Sequence, residues 1–524
     1  MIQGILKTKD YRSFQVADVE FESAAAAAKA LPGDTVIVSN GVVKSIIKRL
    51  SHKGIVGVIE VSSKTRYGFT SRGTPIYLFI PWNEAYPPFY VGSNHDTSGA
   101  VLAVVDFEKW DGNCPRGNCR FVIGPSGDLE SEERALLLNA CPNPWKKSVI
   151  PPELAGREWK PSCEIKGETF HVDPEGCRDI DDAITFGKLE SGLIEVYIHI
   201  ADVGTLLAPN ESLWRAAELG QTLYSDGRVV AGLFPEVVER ACSLIPGETR
   251  PTLTLKFIWN PVTSTINGQT WIHASIVVKE SYTYETVYDS DKAKLLGNIA
   301  SAMAGTLVTD SHDWIAQFML FYNREAASVL RDLGKGILRK HGAPDMKMID
   351  TLQSLEFVPE YLAFQSGKYC EATDSDVSHW GLQAGFYCHA SSPIRRYVDC
   401  VNQLCIMESV FGYELTTPPI AIDELNRLSQ VAKRYERDLF FVRNLLETGT
   451  RTAEMATVLE CSDTKVKVWV DEWKMLLKVS KPVQGWEVEL PVGQRVVLRV
   501  FIDPIQRNWK RRLVITLSGS RKSA

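Results

Sequence analysis

Residues 171–186 read HVDPEGCRDIDDAITF, and four aspartates fall within ten positions: Asp173, Asp179, Asp181 and Asp182. A bare D-x-D-D is most simply a solvated acidic loop, but the apolar flanks Ile180, Ala183 and Ile184 argue for partial burial at the edge of a core strand. Carboxylates this close hold protons unless cations neutralise them. No His or Cys cluster accompanies them, which favours the hard ions Mg²⁺ or Mn²⁺ over Zn²⁺. In an extended segment Asp179 and Asp181 share a face and Asp182 points away. A bend at Gly176 would return Asp173 toward the others. Such a cluster can hold two ions, the arrangement for in-line displacement at a phosphorus. The spacing does not match an EF-hand loop.

The next strand reads LIEVYIHIADV, with Ile194, Val196, Ile198 and Ile200 on one face and Glu195, Tyr197 and His199 on the other. It places His199 and Asp202 near the sheet end that carries the aspartates. A second constellation is HASSPIRRYVDCVNQLC, from His389. Ser392 then Pro393 predicts a helix start, with Ser as N-cap and Pro at the first helical position. Arg395 then falls in the first turn, where outward N–H groups and a guanidinium together make a phosphate site. Tyr397, Val401 and Leu404 supply the buried face. The plain alternative makes Arg395 and Arg396 surface cations.

Length and composition bound what surrounds these motifs. The chain has 524 residues, enough for about three or four domains. Its 58 basic and 64 acidic residues give a net charge of −6, which argues against a simple nucleic-acid coat but allows a local basic channel. No apolar run approaches the ~18 residues that span a bilayer, and MIQGILKTKDYRSF carries no secretory or transit pattern, so a cytoplasmic location is expected. Eleven cysteines include Cys114 and Cys119, which lack a partner pair at zinc-ribbon spacing; free thiols in a reducing compartment are expected.

Along the chain, GDTVIVSN from Gly33 and GIVGVIEVSS from Gly54 read as strands bounded by turn residues. ESAAAAAKAL predicts a helical insert, with Ala24 to Ala28 in succession. Strands dominate from about Ile76 to Ile123, DLESEERALLLNA predicts a helix entered through acidic residues, and Cys141 to Glu153 is a Pro-rich linker. After a long mixed region, TKVKVWVDEW, MLLKVS, RVVLRVF and RLVITLSG predict a small closing barrel of the OB type. Residues 505–524 hold six basic side chains and no acidic one.

Taken together, VDPEGCRDIDDA, HIADV, RPTLTLKF after SLIPGE, and YCHASSPIRRYVD resemble, in that order, the ribonuclease II or RNB family of 3′-to-5′ exoribonucleases, over about Glu158 to Leu446. KALPGDTVIV resembles the first of that family's two cold-shock domains. WDGNCPRGNCRFVIGPSGDLESE is similar to the second, in the eukaryotic branch that includes the exosome catalytic subunit. The resemblance implies a multidomain chain: N-terminal OB-like cold-shock β-barrels at 1–54 and 55–150, a central mixed α/β RNB catalytic domain at 151–450 and a C-terminal OB-fold β-barrel at 451–524, with no PIN domain ahead of them.

The resemblance further implies hydrolysis of single-stranded RNA to nucleoside 5′-monophosphates by a two-metal mechanism with Mg²⁺, for which Mn²⁺ can substitute. Position by position, Asp173, Asp179, Asp181 and Asp182 match the metal-binding aspartates, and Asp181 the one whose loss most directly stops hydrolysis. Arg395 matches the arginine on the scissile phosphate, with Arg396 beside it at the RNA. Tyr224 in TLYSDGRVV matches an aromatic that stacks on a base near the 3′ end, and Tyr284 in SYTYETVY is of the same kind. The expected partner is single-stranded RNA, with no membrane, for a monomer able to join a larger RNA-decay complex. One departure stands out: the family continues from RRYxD to a His-Arg pair, where this chain has Gln403-Leu404. The rival readings are a catalytically silent RNA-binding regulator that retains the fold, and a metal-dependent phosphatase or deoxyribonuclease. Degenerate members of the family lose the aspartates, and OB-like flanks suit a polymeric single strand better than a small ester.

Overall fold

A computed structural model describes residues 1–95, 99–145, 163–207, 211–355, 358–359, 362, 366–414, 421–446, 450–480, 490–503 and 513–518. The linker beyond Trp145, the expected boundary at 150/151 and the basic side chains from Arg507 to Lys522 lie outside these residues. The chain divides into two compact units, one of residues 1–144, 352–359 and 434–524, the other of 145–351 and 360–433.

The first unit is built from three small β-structures. Strands Ile2–Thr8, Ser13–Val16, Val19–Glu22, Thr35–Ser39 and Val42–Lys48 form a five-stranded sheet around Leu6, Phe14, Val16, Val36 and Val38. Strands Ile55–Ile59, Ile76–Pro81, Phe89–Gly92, Val101–Lys109 and Arg116–Pro125 close into a barrel. A Cβ on Gly57 would lie 2.3 Å from the Ile80 carbonyl, so only glycine admits that strand pairing. Helix Leu129–Ala140 follows, its Asp128 cap accepting from the Ser131 N–H at 3.0 Å. At the far end, strands Thr450–Cys461, Lys465–Val470, Met475–Ser480, Arg495–Ile502 and Leu513–Ser518 make an antiparallel sheet. Its core takes in Phe441 and Leu445 from the helix Ile422–Leu446.

The alanine run does not form the expected helix. Residues 24–29 are turns, and Ser23, Ala28 and Lys29 have positive φ. Five alanines are far shorter than the ~12–15 residues an isolated helix needs. Ala27, Ala30 and Leu31 are instead fully buried in the first sheet's core, while Asp34 accepts the Leu31 and Leu50 N–H groups at 2.9 Å. Packing overrides propensity here.

The second unit centres on a sheet ordered Cys163–Glu164, Thr265–Tyr282, Thr169–Val172, Asp182–Lys188, Ile194–Ala201 and Thr249–Asn260, with Thr265–Tyr282 also pairing back to Thr249–Asn260. The alternation in LIEVYIHIADV holds on its apolar face, since Ile194, Val196, Ile198 and Ile200 are all buried. On the other face Glu195 and Tyr197 are only partly covered, but His199 is fully buried, contrary to the expected polar face. Hydroxyls explain how it is accommodated. Thr169 meets Thr185 at 2.6 Å, His199 contacts Thr185 and Thr254 at 2.9 Å each, and Thr254 meets Thr252 at 2.8 Å. Burial pushes the imidazole down to about 3, so it spans the ladder uncharged. Helices Ala293–Ala304, Ser311–Leu333 and Tyr397–Phe411 contribute Leu296, Phe318, Tyr322 and Tyr397 to the same core.

Candidate active site

The aspartates are placed by strand ends and one turn. Asp173 follows Thr169–Val172, its N–H bonded to the Tyr282 carbonyl at 3.0 Å and its carboxylate 2.9 Å from His171 Nδ1. The chain then reverses through Gly176 at φ +76°, as the sequence suggested. Asp182 opens the strand Asp182–Lys188 opposite Ile200, and the Asp181 carbonyl accepts the Ala201 N–H at 2.8 Å. Ile180 is pinned on both sides, to Ser243 Oγ at 3.0 Å and to the Leu244 N–H at 3.0 Å.

Each carboxylate meets a different environment. Asp179 accepts the Tyr224 hydroxyl at 2.5 Å. Asp181 is 3% exposed; its Oδ1 accepts the Ile394 N–H at 2.8 Å, and its buried Oδ2 has no hydrogen-bond partner. Burial raises the Asp181 carboxyl, against Arg395 and the Ile394 N–H, with Asp179 and Asp182 adding to the rise. Burial, then the Asp173 charge, pushes Asp182 up to about 8, against Arg395. Asp182 therefore feels Asp173 most among its anionic neighbours.

Among the described residues, no three His, Cys, Asp or Glu side chains are grouped so that they could hold a metal ion. What stands there is an all-oxygen donor set in which Asp181 Oδ2 is buried without a hydrogen bond, 3.5 Å from Arg395 Nε. A buried oxygen without a donor costs free energy that a cation would recover. These donors fit a hard divalent ion.

The arginine segment departs from its expected form. Helix Tyr397–Phe411 starts at Tyr397, and Ser392 to Arg396 form a turn before it, with Arg396 extended at φ −133°. Long-range pairing explains this: Thr222 donates to the Arg395 carbonyl and Tyr397 to the Gly220 carbonyl, both at 2.9 Å. Asp399, fully buried, takes the Ser392 N–H at 2.8 Å and grips the Arg396 guanidinium at 2.9 and 2.8 Å. Arg396 is thus tied to the turn. Arg395 Nε lies 3.5 Å from Asp181 Oδ2, while 49% of its side chain is exposed. Tyr397, Val401 and Leu404 are buried as expected.

Tyr284 stacks on His312 with ring centroids 3.9 Å apart. Burial and then the nearby Asp182 and Asp173 charges push its hydroxyl up to about 12. Asp202 reaches the aspartates' end of the sheet, but its carboxylate is bonded to His273 at 3.0 Å and to the Thr205 N–H at 3.0 Å. Glu239, on the helix Glu236–Cys242, went unremarked in the sequence. Burial, then Asp179 and Glu236, raise it to about 7. A side chain on Gly232 would meet Glu239 Oε1 at 2.1 Å, so the glycine makes room for it. No motif flags a single glutamate about sixty positions from the carboxylates it faces.

The RNB domain matches residues 165–295 and 301–411, and the Dis3-like cold-shock domain 2 matches 76–141. The human exosome complex exonuclease RRP44 is 24% identical over 477 residues, covering 72% of this chain and 49% of that protein. The fission-yeast exosome complex exonuclease dis3 is 23% identical, covering 79% and 56%. The chain thus spans about half the length of the curated relatives it matches. Among solved structures, RNase R of Mycoplasma genitalium in complex with ribose-methylated single-stranded RNA superposes with a TM-score of 0.75 at 16% identity, covering 99% of this chain and all of that one. Yeast Ssd1, described as a pseudonuclease, gives 0.62 at 14% identity, covering 95% and 81%. The matched RNB domain takes in the aspartate strand and the arginine turn, and the matched cold-shock domain lies on the closed barrel; the chain carries an RNB domain and a Dis3-like cold-shock domain 2.

Proposed function

We propose that this chain is a 3′-to-5′ exoribonuclease that hydrolyses single-stranded RNA to nucleoside 5′-monophosphates. The observation that carries the reading is Asp181: a buried carboxylate with one oxygen held by Ile394 and the other left without a donor, facing a half-exposed arginine. Asp173, Asp179, Asp181 and Asp182 would hold Mg²⁺, or Mn²⁺ in its place. Bound there, the ions supply Lewis acidity for water activation and for the departing 3′-oxygen.

The chain's own residues do the rest. Arg395 keeps a face open to the phosphate and neutralises charge that builds on it. Its guanidinium stays protonated: burial pulls it down, but Asp181 and the neighbouring anions outweigh that. Arg396, through Asp399, holds the turn that presents Arg395. Tyr224 orients Asp179 through its hydroxyl and offers its ring to a base near the 3′ end. Tyr284 and His312 give a second stacked aromatic surface beside Asp173 and Asp182.

One observation favours a second reading. The similarity to yeast Ssd1, a pseudonuclease, shows that this architecture occurs in a protein so described. A silent RNA-binding regulator would have no use for four such carboxylates, and here all four aspartates stand. Among the described residues no helix is long and apolar enough to cross a membrane. A cytoplasmic location and association with a larger RNA-decay assembly belong to the proposal, the latter suggested by relatives named as exosome complex exonucleases. Labelled single-stranded RNA and DNA incubated with Mg²⁺, with products resolved by length, test it. A ladder shortening from the 3′ end of RNA to mononucleotides is expected. Intact RNA that stays bound favours the regulator, and internal cuts remove the exonuclease reading.

A further inference from the structure

Gln403 lies on the helix Tyr397–Phe411, which follows the arginine turn. Its side chain is fully buried. Oε1 accepts the Val203 N–H at 3.1 Å and the Gly204 N–H at 2.8 Å, and Nε2 donates to the Ala201 carbonyl at 2.9 Å. Three buried backbone groups of one loop thus close on a single carboxamide. The next residue, Leu404, packs on the same loop: a Cβ at Gly204 would lie 3.1 Å from Leu404 Cγ and 3.2 Å from Gln403 Oε1.

The clamped loop and its helix each lead to one half of the candidate site. Ala201, whose carbonyl Gln403 holds, donates its own N–H to the Asp181 carbonyl, and the strand it ends pairs Ile200 with Asp182. The helix that carries Gln403 starts at Tyr397, directly after the Arg395 turn. Asp181 and the turn already meet through the Ile394 N–H. Gln403 adds a tie between this helix and the strand that ends at Ala201, beyond those that Gly220 and Asn402 give the helix and Thr222 gives the turn.

We infer that Gln403 is a positioning residue, which sets the stance of Arg395 relative to Asp181. The inference rests on the exoribonuclease reading for its kinetic consequence, though not for its geometry. Gln403→Leu keeps the volume and removes all three bonds. Gln403→Glu keeps an acceptor for Val203 and Gly204 but turns an oxygen toward the Ala201 carbonyl.

Both variants of the full chain are compared with the parent by three measurements: kcat and KM on single-stranded RNA with Mg²⁺, Mn²⁺ affinity by calorimetry without RNA, and melting temperature. Below its melting temperature Gln403→Leu should lose about 10- to 100-fold in kcat, the scale of a displacement near 1 Å. KM should barely change, Mn²⁺ should bind several-fold more weakly, and Gln403→Glu should fall between. A variant that melts earlier yet keeps parental kcat and Mn²⁺ affinity overturns the inference and leaves Gln403 purely structural. If the parent itself cleaves no RNA, the functional reading fails on its own. Mn²⁺ affinity then decides: weaker binding in the variants sustains the positioning role, and equal binding ends it. Should Gln403→Leu not fold, Gln403→Glu decides on the same readouts.

Discussion

The carboxylate of Asp181 accepts the backbone N–H of Ile394 at 2.8 Å across 213 positions of chain. Ile394 immediately precedes Arg395, whose Nε lies 3.5 Å from the other oxygen of the same carboxylate. One aspartate thereby sets the place of the arginine and keeps an oxygen free of hydrogen bonds for a cation.

Asp181→Asn preserves the acceptor toward Ile394 and removes the charge. RNA hydrolysis should fall to background, while RNA affinity, read by filter binding, stays near parental. EDTA should reproduce the loss reversibly. Parental turnover by the variant, or in EDTA, would show the cluster to be structural.

Arg395→Ala removes a partly exposed cation that faces the phosphate in the proposed mechanism. The cleavage rate should drop on the order of 10²–10³-fold, the scale of one lost oxyanion donor. Affinity for RNA should change far less. A rate loss wholly explained by weaker binding would reduce Arg395 to an anchoring cation.

Tyr224 has two separable parts. Tyr224→Phe loses the hydroxyl bonded to Asp179 and keeps the ring, so the rate should fall on the order of tenfold, as for a lost hydrogen bond to a charged group, with the final product length unchanged. Tyr224→Ala should also lengthen the final product, because fewer nucleotides can then be held. Unchanged lengths on sequencing gels would remove the ring from the RNA path.

Glu239 supplies a pH test. Burial and its anionic neighbours raise it to about 7, above the ordinary glutamate value of 4.5. Between those values the unfolded chain ionises this group while the folded chain keeps it protonated, so stability is lost as pH rises through that window. Glu239→Gln should therefore raise the melting temperature by a few degrees at pH 8 in EDTA and leave it unchanged at pH 4. The same gain at both pH values would mean that repacking, not charge, is responsible.

Three expectations failed for one reason, that long-range contacts outrank local preference. Ser392-Pro393 is a sound helix start by residue type, yet Gly220 and Thr222 hold Arg395 to Tyr397 in an extended pairing, and the helix begins later. Ala24 to Ala28 are strong helix formers, yet Ala27 and Ala30 are needed in a sheet's core. His199 looked like a polar-face residue, and hydroxyls on two neighbouring strands let it be buried.

The amino-acid sequence by itself determined the strands, their apolar faces and the turn at Gly176, and it singled out the four aspartates and Arg395 as candidate groups, because periodicity and residue chemistry are local properties. Only the tertiary structure decided which oxygen of Asp181 stays without a donor, that Tyr224 reaches Asp179, that Asp399 ties down Arg396, and that Gln403 clamps Ala201 to Gly204. Apart from the Asp399–Arg396 pair, three positions apart, those facts depend on where segments separated by 45 to more than 200 residues meet. Burial then fixes their energies, since removing water is what makes a carboxylate oxygen without a hydrogen bond costly.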